Sequence, residues 1–138
     1  MQLRTPIVRA FVAAAMISGK SANADYTFGT PTVVGIGQGS SPSVSTDGLS
    51  LYVDSSSLGG YGGYDIWVYT RETMHDDWSE PVNPGPPING SYGEGSPDIS
   101  ADGLALFFDS DLPGGQGDWD IWFSTRATTD APWSKPVN

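Results

Sequence analysis

Apolar and polar positions fall into two regimes along the chain. Near the start there is one unbroken apolar stretch, Ala10 to Ile17, reading AFVAAAMI. Beyond residue 40 the apolar residues come in short bursts bounded by Gly, Pro, Ser and Asp, which is the punctuation of strands and turns. Leu49 to Asp54 (LSLYVD) and Leu104 to Asp109 (LALFFD) carry the β-branched and aromatic residues that suit a pleated surface. Tyr64 to Thr70 (YDIWVYT) and Trp119 to Thr125 (WDIWFST) do the same. Pro42 to Ser45 and Pro97 to Ser100 predict a short strand ahead of each pair. Trp78 to Asn83 and Trp133 to Asn138 predict a fourth strand. Pro81 and Pro136 lack a backbone N–H and would place it at an edge. No amphipathic helical period occurs outside the N-terminal segment.

These strands recur because the sequence repeats. Residues 41–83 and 96–138 align without a gap at an offset of 55, with 23 identities in 43 positions. Such periodicity marks a duplicated supersecondary unit that cannot bury its apolar face alone. Within each unit Asp47-Gly48 or Asp102-Gly103 separates the first two strands. Asp-Gly predicts a hairpin turn of type I′, in which both central residues take positive φ. Glycine-rich loops, LGGYGG and PGGQGD, separate the second and third strands, and PGPPINGSYGEG joins the units with turn chemistry throughout.

A unit of this length with four antiparallel strands predicts a β-propeller blade. The pattern S-P-x-[VI]-S-x-D-G-L-x-L, then G-G, then D-I-W, then W-x-x-P, resembles the WD40-like PD40 repeats of the TolB-type propeller superfamily, in the secreted bacterial form. The resemblance covers residues 41–138 and, more weakly, 26–40. It implies the propeller fold and a role as a protein-interaction scaffold in the bacterial envelope, or as a substrate filter beside a peptidase domain. Phe28 to Pro31 occupies the place of Trp78 to Pro81, so a lone outer strand is expected within residues 25–40, ahead of the two blades. The fold class read from the chain is therefore all-β. It comprises blade repeats at 41–83 and 96–138, a linker at 84–95, and membership of a larger propeller whose ring is completed by further blades or other chains.

The N-terminal stretch is an address. Arg4 and Arg9 precede the apolar run and Ala22-Asn23-Ala24 follows it, which is the pattern of a secretory signal peptide over residues 1–24. The run is too short to cross a bilayer, and no integral membrane segment is encoded. Cleavage after Ala24 leaves Arg71, Arg126 and Lys135 against 16 acidic residues. Such a surface argues against nucleic acid or an anionic membrane as a partner, because both call for clustered Lys and Arg. The absence of cysteine from the sequence excludes disulfides, cysteine-ligated zinc and a thiol nucleophile. The protein is expected to be periplasmic or extracellular.

The candidate chemistry is sparse. Asp65 and Asp120, ahead of Ile-Trp in the third strand, read as acceptors of loop N–H groups, which a buried carboxylate requires. Asp47 with Gly48 and Asp102 with Gly103 read as turn residues. Asp109, Asp111, Asp118 and Asp120 fall within twelve residues and offer the oxygen ligands that calcium takes. The first repeat keeps only Asp54 and Asp65 of that set, and the alternative is a solvated acidic loop. Trp67 aligns with Trp122, and Trp78 with Trp133; registered tryptophans read as inter-blade packing. Tyr64 and its counterpart Trp119, with Tyr61, lie beside the glycine loops and are the candidates for aromatic contact with a ligand. His75 is the single histidine, so no Ser-His-Asp arrangement is supported. The expectation is an exported non-catalytic propeller, not an enzyme, that binds a protein or glycan partner and needs no cofactor other than a candidate calcium. The alternatives are the propeller portion of a secreted carbohydrate-active or peptidase-associated enzyme, and a calcium-stabilised surface repeat.

Overall fold

The computed structural model describes residues 30–31 and 33–138. The signal peptide expected over 1–24, and Phe28 and Gly29 of the lone strand expected at Phe28 to Pro31, lie outside them. Six strands form two three-stranded antiparallel sheets, and the described residues contain no helix. In the first sheet β1 (Ser40–Val44), β2 (Ser50–Ser55) and β3 (Asp65–Thr70) pair in sequence order. In the second, β4 (Glu94–Ile99), β5 (Ala105–Ser110) and β6 (Asp120–Thr125) do the same. The all-β class and the meander order are thus present in both repeats.

The fourth strand is not. In each unit the segment that carries WSxPVN touches the third strand at one bridge only, Val68 with Val82 and Phe123 with Val137. The reason is local. Ser79 N donates to Thr70 O at 2.8 Å, yet Thr70 N donates to the Ser79 hydroxyl at 3.0 Å, so a side chain replaces the main-chain acceptor of a regular ladder. Ser134 and Thr125 repeat that substitution at 2.7 and 3.0 Å. Val82 and Val137 each spend both main-chain groups on the third strand, so Pro81 and Pro136 before them turn their N–H-less nitrogens to the outer side, as at an edge.

The hairpin turns differ from type I′. Of the central pair only glycine has positive φ, 73° at Gly48 and 70° at Gly103. Gly48 N donates to Ser45 O at 2.8 Å, and Gly103 N to Ser100 O at 2.9 Å. A turn followed by a left-handed glycine fits this pattern. Asp47 Oδ1 accepts from the Ser45 hydroxyl at 2.6 Å and from Leu49 N at 2.9 Å. Asp102 does likewise with Ser100 and Leu104 at 2.6 and 3.0 Å. These bonds, the serine's first, hold both carboxyls below their usual range.

The first strand begins earlier than the apolar pattern predicts, at Ser40 and Glu94, across a bulge in each unit. Ser41 and Ser96 sit in the bulges with φ of 47° and 48°, which is costly for a residue with a side chain. Ser96 N there donates to Asp54 Oδ1 of the other sheet at 3.4 Å.

Alternation along the strands gives each sheet two faces. Tyr52, Ile66 and Val68 on one face of the first sheet pack against Leu106, Phe108 and Trp122 of the second, and Ile88 and Ile99 join this core. The opposite face of the first sheet (Leu51, Val53, Trp67, Tyr69) packs against Val34 and Ile36 of the segment ahead of β1. Trp122 therefore lies between the sheets. Trp67, expected in the same role, instead packs beneath that preceding segment. Trp78 and Trp133 are half-buried against the two respective clusters, each under an arginine (Arg71 and Arg126) 4.3 Å from the ring centroid.

Candidate functional site

At one end of the sheets the two glycine-rich loops and the connection between the units come together. Asp65, buried at the start of β3, accepts from Tyr61 N at 3.0 and 3.1 Å and from Gly62 N at 3.4 Å. Asp120 accepts from Gln116 N and Gly117 N at 2.8 and 2.9 Å. Each carboxylate thus holds its own loop by main-chain donors, a strong, charge-assisted arrangement. A side chain at Gly60 or Gly115 would run into that carboxylate, so these glycines let the loop fold down onto it.

The connection threads between the loops. Asn89 is buried and pairs with both main-chain groups of Ile66, accepting from its N–H at 2.9 Å and donating to its carbonyl at 2.8 Å. Tyr64 O accepts from Glu94 N at 2.8 Å. Gly93 N donates to Asp111 Oδ1 at 2.7 Å, and a Cβ at Gly93 would lie 2.6 Å from Cη2 of Trp119, so the indole rests directly on that glycine. The Tyr61 ring lies beside Gly85. Tyr61, Tyr64, Tyr92 and Trp119 accordingly surround one connection, all exposed, with Trp119 at 49 %. The structure brings the three aromatics expected from sequence to one end and adds Tyr92.

Under this surface sits Glu94, fully buried between Gly93 and Gly95. Its Oε2 accepts from Gly90 N at 3.2 Å, and Oε1 has no hydrogen-bond partner. Burial pushes its carboxyl up to about 7, opposed by the Gly90 N–H and reinforced by the charges of Asp65 and Asp111. Sequence reading missed Glu94, Asn89 and Tyr92, because a connection rich in Gly, Pro, Ser and Asn reads as solvated turn. A single acidic residue between two glycines was the available signal for Glu94.

The four aspartates considered for calcium do not act as a set. Asp120 is committed to its loop and Asp111 to Gly93, while Asp118 is exposed. Among the described residues no group of three or more His, Asp or Glu side chains is placed to hold a metal ion. At the other end of the sheets a cleft of about 680 Å³ opens between the two turns, lined by Asp47, Ser50, Tyr52, Asp102, Arg126 and Asp130. It has three carboxylates and one guanidinium. Burial raises the Tyr52 phenol, against the pull of the Arg126 charge. Among the described residues no helix is long and apolar enough to cross a membrane. Comparison with protein-family models, with curated proteins and with solved structures finds no match to this chain.

Proposed function

We propose that the chain is an exported, non-catalytic scaffold of propeller type that binds a protein or glycan through its loop end. The observation that carries this reading is the group of exposed rings (Tyr61, Tyr64, Tyr92 and Trp119) on loops held down by Asp65, Asp120 and Asp111. Aromatic rings presented on a rigid support contribute contact area at low conformational-entropy cost, which is what a recognition surface needs. Three-stranded meanders stacked face to face, repeated with 23 identities, support the propeller-type architecture. The residues that resemble secreted PD40 repeats support the same architecture, and the N-terminal pattern supports export. The excess of acidic residues favours a neutral glycan or a basic polypeptide as partner.

The test is a titration of the full chain with soluble oligosaccharides and with basic peptides, followed by tryptophan emission. The expected result is a saturable change for one probe, lost in Trp119→Ala and weakened in Tyr64→Ala, with the probe recovered intact. Cleavage of the probe, or binding unmoved by removing Tyr61, Tyr64 and Trp119 together, overturns the reading.

A further inference from the structure

The two units differ most in what covers them. On the first sheet Tyr52 is 4 % exposed and Ile66 0 %, because the second sheet lies on that face. The same register positions of the second sheet are Phe107, Ile121 and Phe123, at 42 %, 67 % and 39 %. Phe107 and Phe123 stack on each other at 5.8 Å and open to solvent. At the other end the offset of 55 continues upstream: Pro31, Gly35, Ser41 and Pro42 repeat as Pro86, Gly90, Ser96 and Pro97. Val33 then stands where Ile88 stands, yet Ile88 is 1 % exposed in the core between the sheets and Val33 is 68 % exposed. Both halves of the interface that joins the two units are therefore present a second time: the face of the second sheet is uncovered, and its counterpart on the first sheet, Leu51, Val53 and Trp67, is capped by the segment with Val34 and Ile36.

We infer that the uncovered face of the second sheet binds the leading end of a second copy of this chain, head to tail, by repeating the contact that joins the two units internally. Phe107, Ile121 and Phe123 then meet the copy's first sheet as Tyr52, Ile66 and Val68 meet the second sheet. The segment with Val33, Val34 and Ile36, which now caps Leu51 and Val53, moves to the place residues 88–91 hold between the sheets, and Val33 becomes buried as Ile88 is. The polar contact also has its counterpart. Asp54 accepts from Ser96 N across the internal interface, whereas Asp109 has no hydrogen-bond partner among the described residues, and Ser41 has the conformation of Ser96. Such a contact is heterologous, so it propagates to a closed ring or an open filament. An apolar sheet face of this kind is otherwise rare on a monomer. The inference does not depend on a ligand at the loop end.

The experiment measures molar mass by light scattering on the full chain over a wide concentration range, with far-UV circular dichroism as the fold control. Ile121 and Val33 are both exposed, so Ile121→Glu and Val33→Glu leave the folded chain intact. Expected are a mass of more than one chain for the unaltered protein, a monomer for each variant alone, and a dimer when the two are mixed, since each retains the end the other has lost. A monomer for the unaltered chain at every concentration overturns the inference, and so does an oligomer that neither variant dissociates. A dimer that Ile121→Glu abolishes but Val33→Glu leaves unchanged overturns it as well, because that is a face pairing with itself.

Discussion

Ile66 and Ile121 are the same residue in the same place of the same motif, Asp-Ile-Trp in the third strand of each unit. One is fully buried and the other 67 % exposed. Their neighbours follow suit, with Tyr52 covered and Phe107 open. Local sequence therefore sets which face a side chain points to, and position in the stack sets whether that face sees water. The units agree at most groups that answer only to their own unit. The bulge serines and the turn glycines Gly48 and Gly103 match to within a few degrees and the aspartates of the turns and loops match in partners, whereas the loop glycines Gly59 and Gly114 differ, at 73° and 113°.

The largest expected effect tests that division at its core. Trp122 lies between the sheets, 7 % exposed, and Phe123 beside it faces solvent. Trp122→Ala should cost about 3–5 kcal/mol of unfolding free energy, the range for removing a large buried aromatic. At concentrations where the chain is monomeric, Phe123→Ala should stay within about 1 kcal/mol, since exposed positions seldom cost more. Denaturant midpoints with unchanged slopes measure both. Equal losses would mean that the second sheet is as covered as the first.

How far the sequence could be read follows the same line. The second and third strands were legible within a residue, because their register decides their own packing and turns bound them on both sides. Asp65 and Asp120 were legible as loop anchors, since each bonds within a few residues of itself. The fourth strand was not, because its pairing depends on whether Ser79 and Ser134 offer hydroxyl or carbonyl to the third strand. The turn type was not, because Asp-Gly serves both a two-residue hairpin, where it is the central pair, and a longer one, where the glycine follows the turn. Of the tryptophans, Trp67 and Trp122 read alike but pack against different things. Glu94 and the aromatic ring around the connection arise from contacts between units, which no local pattern encodes.

Glu94 separates the units in another way, since Gly39 holds its position in the first. Its carboxyl is raised to about 7 from an ordinary value of 4.5, burial being the main cause. The folded protein keeps this proton over a range in which the unfolded chain has lost it. Stability from this group is therefore complete below about pH 4.5, falls as pH rises towards 7, and is level above, a loss on the order of 3 kcal/mol. Glu94→Gln should remove that limb and raise the melting temperature at pH 8 more than at pH 4.5. A stability profile that keeps its slope in Glu94→Gln would assign the limb to another group.

A smaller effect sharpens the comparison at one methylene. Ile66→Val should cost about 1 kcal/mol, and Ile121→Val close to nothing, because only the first leaves a cavity. The pair differ in covering alone, so the difference between them measures what the second sheet adds to the first. If the chain assembles head to tail, the Ile121→Val cost should grow with protein concentration while that of Ile66→Val stays fixed.

The smallest effect is the control, and it should be the same in both units. Arg71 lies over Trp78 and Arg126 over Trp133, each 4.3 Å from the ring centroid, and each donates through Nε to a turn carbonyl at 2.8 Å, Gly48 O and Gly103 O. These contacts stay inside one unit, so the neighbour that distinguishes Ile66 from Ile121 should not distinguish them. Replacing arginine by methionine keeps the apolar stem but removes the charge over the ring and the donor to the turn, with an expected cost of about 0.5–1 kcal/mol at this exposure. Arg71→Met and Arg126→Met should then agree within measurement error. Arg126 also borders the cleft beside Tyr52, whereas Arg71 reaches Met74 O at 3.1 Å. A clearly larger cost at Arg126 would show that its charge acts across the units, and the line between what a unit decides for itself and what its neighbour decides would have to be drawn through the cleft.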